Sequence, residues 1–198
     1  MEATNPLFAL LRQLNAADIV FIIIVFRILY IAFENGFVVE CFKLTGIVLA
    51  TYIGLHYYSR LAVFSRDFLS LGKETSMEVL SSSCLIILLV VSYLASVFFR
   101  ALFSKFIKLE AVPILQKWGG LLLGGARGIL AASLVAIILS LSAGTYLNDK
   151  VYSSYFGKRL LTVAPAVYAS IWNGFMSRLT SQERSNKFPS KIHKSKTQ

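Results

Sequence analysis

The most prominent feature of the chain is a set of long apolar windows. Residues 79–99 form 21 consecutive positions without a charge, and Arg100 closes this window. Three further windows, at residues 19–34, 37–57 and 118–141, are nearly as apolar but contain ionisable side chains. A helix needs about 20 apolar residues to cross a hydrocarbon layer of about 30 Å. The pattern therefore predicts four transmembrane helices.

The first two windows are separated by Asn35 and Gly36. Asn caps helices and Gly accepts a positive φ, so this pair is typical of a tight connection between two helices. We expect an all-α, integral membrane four-helix bundle at residues 18–146, preceded by an N-terminal segment at residues 1–17.

The C-terminal part of the chain has a different pattern. Apolar residues recur at helical spacing within residues 147–179, which predicts an amphipathic helical segment with Pro165 in its first turn. Residues 180–198 are polar and basic without an apolar period, so we predict a disordered basic tail. The periodic apolar residues are Leu160, Ala164, Val167, Ile171, Phe175 and Leu179.

Composition excludes an ordinary soluble domain. Hydrophobic residues make up 56% and charged residues 15% of the 198 positions, against about a quarter charged in soluble proteins. Mean hydropathy is +0.67. The expected surroundings are a lipid bilayer.

The net charge of +10 is concentrated at the C-terminus. From Lys150 onward there are nine basic residues and one acidic residue. The tail is expected either to keep the chain soluble or to attract anionic lipid headgroups, at about 1 kcal/mol per cation. It has no nucleic-acid-binding signature, so no nucleic-acid partner is expected. The tail lysines are Lys187, Lys191, Lys194 and Lys196.

Basic residues near the predicted helix ends favour one orientation. With four crossings, both termini lie on one side of the membrane. That side carries seven basic residues in the terminal and second-loop segments, against four on the other side. The positive-inside rule then places both termini in the cytoplasm.

Five ionisable residues lie within or at the edge of the predicted spans. An unpaired charge at mid-membrane costs about 2.5–3.5 kcal/mol or more, so these side chains should find partners. Glu40 precedes Lys43 by three residues and is near the level of Arg27 across the hairpin, so we expect it to bridge both cations. Arg127 would then pair with Glu34, Asp18 or backbone carbonyls. The intramembrane charged set is Asp18, Arg27, Glu40, Lys43 and Arg127.

Small residues recur every fourth position along the fourth predicted helix. Such a groove lets helix backbones approach closely, which is the main source of helix contact in lipid. We expect it to pack within the chain, against the stripe of Gly46, Ala50 and Gly54. A subunit interface and a pore lining are the alternatives. The groove residues are Gly120, Gly124, Gly128, Ala132, Ala136 and Ser140.

Enzymatic signatures are missing from the sequence. His56 and His193 partner no Ser or Cys nucleophile in a recognisable arrangement. Cys41 and Cys84 belong to no metal-ligand spacing. We therefore expect a protein that is not an enzyme and that has no cofactor and no metal.

The opening of the first two helices resembles the colicin V production protein family, CvpA. The resemblance rests on Asp18, on Arg27, and on the run from Gly36 to Glu40. It continues in a Gly-x-x-x-Gly-x-x-Arg-Gly run ending at Gly128, and in Ser153 or Ser154 followed by Pro165.

The resemblance covers residues 17–172 and implies a bacterial inner-membrane protein of four helices. It implies a link to bacteriocin production or export and to envelope maintenance. From it we expect an accessory or scaffold protein whose partners are other envelope or secretion proteins or further copies of itself. The alternative is a small oligomeric channel or transporter in which the charged set lines a wet path.

Overall fold

The computed structural model describes residues 15–68, 76–106, 113–141 and 145–176. Apart from residues 15, 76 and 154–156, these residues are helical, and they include no strand. The helices are α1 (Ala16–Phe68), α2 (Met77–Phe106), α3 (Pro113–Leu141), α4 (Thr145–Ser153) and α5 (Gly157–Ile171), followed by one π-helical turn (Trp172–Met176).

Helix α1 consists of two arms joined at Gly36. Its 53 residues would extend about 80 Å as one rod, but Gly36 has non-helical backbone angles (φ 78°, ψ 170°). A Cβ atom added to Gly120 would contact Gly36 and Ala32, and one added to Gly128 would contact Val25. The first arm (16–35) therefore lies along α3 and is antiparallel to it, with Gly36 beside the start of α3. The second arm (37–68) begins with Phe37 against Gly119, and Glu40 lies beside Arg127. It therefore also extends away from Gly36 along α3. The two arms therefore form an antiparallel hairpin whose tip is Gly36.

Helix α2 packs on the second arm. A Cβ added to Gly46 would lie 2.8 Å from Ser96 Cβ, and one on Gly54 would lie 2.9 Å from Leu89 Cδ2. Residue numbers rise along one helix as they fall along the other, so the two are antiparallel.

Helices α1, α2 and α3 are each long and apolar enough to cross a membrane. In the most apolar window of α3, 50% of the positions are buried, against 17% in α1 and 11% in α2. Helix α3 is thus the central helix of the described part of the chain. Large apolar side chains on α1 and α2, such as Phe26, Tyr30, Ile87 and Leu94, are exposed, as expected for surfaces that face lipid.

The C-terminal segment is two helices rather than one. Helix α4 ends at Ser153 and α5 begins at Gly157. Pro165 is the ninth residue of α5 and is buried, so the prediction that it lies in the first turn is wrong.

Helix α5 crosses one end of the bundle. Leu160 and Phe21 of the first arm line the same groove, Ser133 of α3 contacts Leu160 and Ala164, and Tyr168 reaches His56 of the second arm. The buried face of α5 includes Leu160 and Ala164 as predicted, and also Leu161, Pro165 and Tyr168. The apolar core lies mainly at this end, where α3, α5 and both arms of α1 meet.

Candidate functional site

The small-residue stripe of α3 contacts the hairpin closely. A Cβ added to Gly124 would lie 2.1 Å from Ala32 Cβ, and one on Gly120 would lie 2.9 Å from the Ala32 carbonyl oxygen. Side chains larger than hydrogen would separate these helices. The groove thus packs within the chain, but on the first arm and the hairpin tip.

The expected partner of this groove was the second arm, and that prediction needs correction. The stripe of Gly46 and Gly54 instead faces Ser96, Leu85 and Leu89 of α2. Two glycine stripes therefore hold two separate contacts, one for each arm of α1. Farther along α3, Gly128, Ala132 and Ala136 are buried and Ser140 is half-buried.

Glu40, Lys43 and Arg127 form a buried charged cluster. Glu40 Oε1 accepts a hydrogen bond from Lys43 Nζ at 3.0 Å and one from Asn35 Nδ2 at 3.3 Å. Glu40 Oε2 lies 3.1 Å from Arg127 Nε, at an angle poorly aligned for a hydrogen bond. Glu40 is 0% exposed, so one carboxylate bridges a cation on its own helix and one on α3.

The expected bridge between Glu40 and Arg27 is absent among the described residues, where Arg27 makes no hydrogen bond or ion pair. Arg27 is exposed, whereas Arg127 is 7% exposed. The reason is helical periodicity. Ala32 faces α3, and Arg27, five residues earlier, lies about 140° around the helix from it. The similar depth of Arg27 and Glu40 in the hairpin predicted this pair. The pair does not form because the Arg27 side chain points away from α3.

Asp18 belongs to a different site from the rest of the predicted charged set. Its buried carboxylate accepts hydrogen bonds from the Ser154 hydroxyl, from Phe156 N–H at 2.9 Å and from Tyr155 N–H at 3.2 Å. Asn15 N–H donates a further bond at 2.9 Å. Asp18 therefore fixes the turn between α4 and α5 to the start of α1, and we call this arrangement the Asp18 cap.

Gly157 completes the Asp18 cap. Its N–H donates to Ser154 Oγ at 2.9 Å, and a Cβ at this position would lie 2.4 Å from the Val151 carbonyl oxygen. The turn at residues 154–157 thus requires a small residue where α5 begins.

Ser133 ties α5 to the central helix. Its hydroxyl donates to the Leu160 carbonyl oxygen and accepts from Ala164 N–H at 2.9 Å. Pro165 follows directly and has no N–H to donate to the preceding turn. A polar group of α3 therefore serves the backbone of α5 where the helix ladder is weakened.

His56 lies in an aromatic cluster at the other end of α5. It is 2% exposed, and its Nδ1 lies 3.0 Å from the Tyr168 hydroxyl. Tyr52 and Trp172 stack on it, with ring centroids 5.6 and 5.4 Å away. These contacts join the second arm of α1 to the end of α5.

Several contributing residues were not predicted as site residues from the sequence. Asn35 was expected only to cap the turn, and Ser133 carried no motif that pointed to α5. Ser154 was one of two serines in the family resemblance, and only its contact with Asp18 distinguishes it from Ser153. The basic tail, with Lys187, Lys191, Lys194 and Lys196, lies outside the described residues.

Three buried polar side chains each have several partners. Glu40 has two cations and an amide, Asp18 has four donors, and Ser133 has two backbone partners. These contacts connect α1 with α3, the start of α1 with the turn before α5, and α3 with α5. Arg27 is the exception among the predicted charged residues, because it is exposed midway along the first arm.

The chain is similar to a known protein family. The family model described as colicin V production protein matches residues 17–165. No curated protein and no solved structure matches the chain.

Proposed function

The chain belongs to the colicin V production protein family, and on that basis we propose that this membrane protein is a non-enzymatic scaffold in the bacterial inner membrane. In this role it would assist bacteriocin production or export and envelope maintenance by holding other envelope proteins or further copies of itself. It would cross the membrane four times, by the two arms of α1, by α2 and by α3, with both termini in the cytoplasm.

The observation that supports a scaffold is the charged cluster. A conducting path needs charges that can exchange partners with water or an ion. Glu40 is instead buried between Lys43 Nζ and Arg127 Nε, both about 3 Å away. Removing one member of a buried ion pair leaves an uncompensated charge and typically costs about 3–5 kcal/mol. The cluster thus favours a structural role.

A small oligomeric channel is the second candidate, and the position of Arg27 favours it. Arg27 is exposed on the first arm, nine residues from the Gly36 tip, or about 14 Å along the helix. A charge at such depth is expected to face protein or water rather than lipid. Several copies arranged around Arg27 would provide a wet path.

One experiment separates the two functions. Purified protein and its Glu40→Gln and Arg27→Gln variants are reconstituted in liposomes, and ion conductance, oligomer size and thermal unfolding are measured on the same samples. For a scaffold we expect background conductance from every sample and reduced stability of Glu40→Gln. Reproducible conductance of the wild type, abolished by Arg27→Gln in a folded protein, would establish the channel instead.

A further inference from the structure

A groove of about 330 Å³ opens on the surface between the first arm of α1, α3 and α5. Among the described residues that line it, Arg159 alone is charged. The volume lies at the lower end of the range for small-molecule sites, about 300–1,000 Å³. The apolar walls include Phe21, Val25, Phe26, Ile129, Leu160 and Val163.

The groove extends from the Asp18 end of the first arm, which the proposed topology places at one membrane face, towards the middle of that arm. Asp18 is 18 residues from the Gly36 tip, or about 27 Å along the first arm, close to the thickness of the hydrocarbon layer. The Asp18 cap holds Phe156, and with it the neighbouring Arg159, at this face. Phe26 is only about 15 Å from the tip and is exposed. This is the direction in which a phospholipid acyl chain extends from its headgroup.

The charge at the mouth of the groove is positive, and Arg159 carries it. Arg159 lies over the Tyr155 ring at 5.1 Å, and in residues 15–68, 76–106, 113–141 and 145–176 no carboxylate is within ion-pair distance of it. The nearby Asp18 carboxylate already accepts four hydrogen bonds. Exposed Tyr155 and Phe156 are residue types that favour the headgroup level. A phosphate at this position would complement the guanidinium.

We propose that this groove binds one anionic phospholipid of the surrounding bilayer, with an acyl chain between the first arm, α3 and α5 and its phosphate on Arg159. The bound lipid would fill the space where α5 meets the first arm and would couple the position of α5 to the lipid composition. This inference is independent of whether the protein acts as a scaffold or as a channel.

The test measures lipid retention by the full chain in detergent, using native mass spectrometry with phosphatidylglycerol or phosphatidylcholine of identical acyl chains. The wild type should bind one phosphatidylglycerol in preference to phosphatidylcholine. Arg159→Gln should reduce that preference by about fivefold, the factor expected for one cation near a lipid surface. Arg159→Lys should keep most of it, and Lys158→Gln, at the exposed neighbouring position, should leave it unchanged.

The apolar walls are tested with matched tryptophan variants of α3. Ile129→Trp should fill the groove and reduce retention of both lipids, whereas Leu122→Trp, at a site that is 78% exposed and away from the groove, should not. Val163→Phe is the second groove-filling variant if Ile129→Trp does not fold. Equal effects of Arg159→Gln and Lys158→Gln, equal retention by a folded groove-filling variant and Leu122→Trp, or full displacement of the lipid by inorganic phosphate would each overturn the proposal.

Discussion

At the scale of single residues, two carboxylates with similar burial have different tasks. Glu40 and Asp18 are each 0% exposed. Glu40 is surrounded by side-chain cations and an amide, which join the hairpin to α3. Asp18 is surrounded mainly by backbone N–H groups, which join the start of α1 to the start of α5. The difference follows from position, because Glu40 lies near the hairpin tip and Asp18 lies at the opposite face.

Substitutions in the charged cluster should differ in how much they lower the stability of the protein. Glu40→Gln should destabilise the protein most, by about 3 kcal/mol, because it leaves two cations without their carboxylate. Lys43→Gln should cost less, since Lys43 is 13% exposed and Arg127 still neutralises Glu40. Unfolding in mild detergent, followed by circular dichroism, measures this order. A Lys43 variant less stable than the Glu40 variant would contradict the bridging role of Glu40.

The Asp18 cap predicts that Asp18→Asn lowers the free energy of unfolding by about 1–3 kcal/mol, because an amide cannot accept all the bonds that the carboxylate accepts. Asp67→Asn, at an exposed position near the end of α1, is the matched control and should have little effect. Thermal unfolding of both variants checks this. If the two variants unfold alike, the cap contributes nothing to stability.

At the scale of helices, close approach depends on which glycine faces a neighbour. Gly124 and Gly125 are adjacent, yet only Gly124 meets Ala32, at 2.1 Å from its added Cβ. The nearest atom to an added Cβ on Gly125 is Leu29 Cδ2, at 3.6 Å. Positions within one motif of small residues therefore differ greatly in their tolerance of a larger side chain.

The contrast between Gly124 and Gly125 yields a prediction that a compensating substitution can test. Gly124→Ala should destabilise the bundle by about 1–3 kcal/mol through overpacking, whereas Gly125→Ala should be tolerated. Because the Gly124 clash is with the Ala32 methyl group, Ala32→Gly should restore much of the stability of Gly124→Ala. Melting temperatures of the wild type, of the two single glycine variants and of the double variant test this prediction. Failure of the double variant to recover would show that another contact limits this site.

The contact between α3 and α5 includes the hydroxyl group of Ser133, which bonds to the α5 backbone. Ser133→Ala should leave backbone groups of α5 with one partner fewer and cost about 1–3 kcal/mol. Ser140→Ala removes a hydroxyl whose bond among the described residues lies within α3, to the Ile137 carbonyl oxygen, and it should cost less. Hydrogen exchange at Ala164 measures the local effect. Unchanged protection there in Ser133→Ala would contradict this contact.

At the scale of the whole molecule, the structure has two distinct ends. The hairpin tip at Gly36 lies at one end, and α5 with the Asp18 cap lies at the other, about 27 Å away along the first arm. The charged cluster is near the tip, and the apolar core is near α5. The proposed inner-membrane orientation places the α5 end in the cytoplasm.

The orientation predicts opposite labelling of two introduced cysteines. In a chain whose Cys41 and Cys84 are replaced by Ser, Glu34→Cys near the tip should react with a membrane-impermeant thiol reagent only from the periplasmic side. Lys158→Cys, at the start of α5, should react only from the cytoplasmic side. Labelling of intact and inverted vesicles reads this directly, and labelling of both positions from one side would exclude the proposed arrangement.

The sequence alone determined the properties that depend on composition and local order. Long apolar windows predicted membrane-length helices, since lipid demands internally satisfied backbones over about 20 residues. The Asn35–Gly36 pair predicted the reversal of α1, because only Gly adopts its backbone angles without strain. The signatures around Glu40 and Arg127 identified the family.

The tertiary structure decided which of these residues meet. Glu40 pairs with Arg127 and not with Arg27 because the first arm packs its Ala32 face on α3. The depth of a residue along the helix does not predict which face packs. The partner of each glycine stripe depends on which helix packs on each arm of α1. The contacts of Ser133 with Leu160 and of Ser154 with Asp18, which are 27 and 136 positions apart in the chain, depend on how α5 crosses the bundle. A sequence pattern has a range of a few helical turns, whereas these contacts arise only when separate helices pack together.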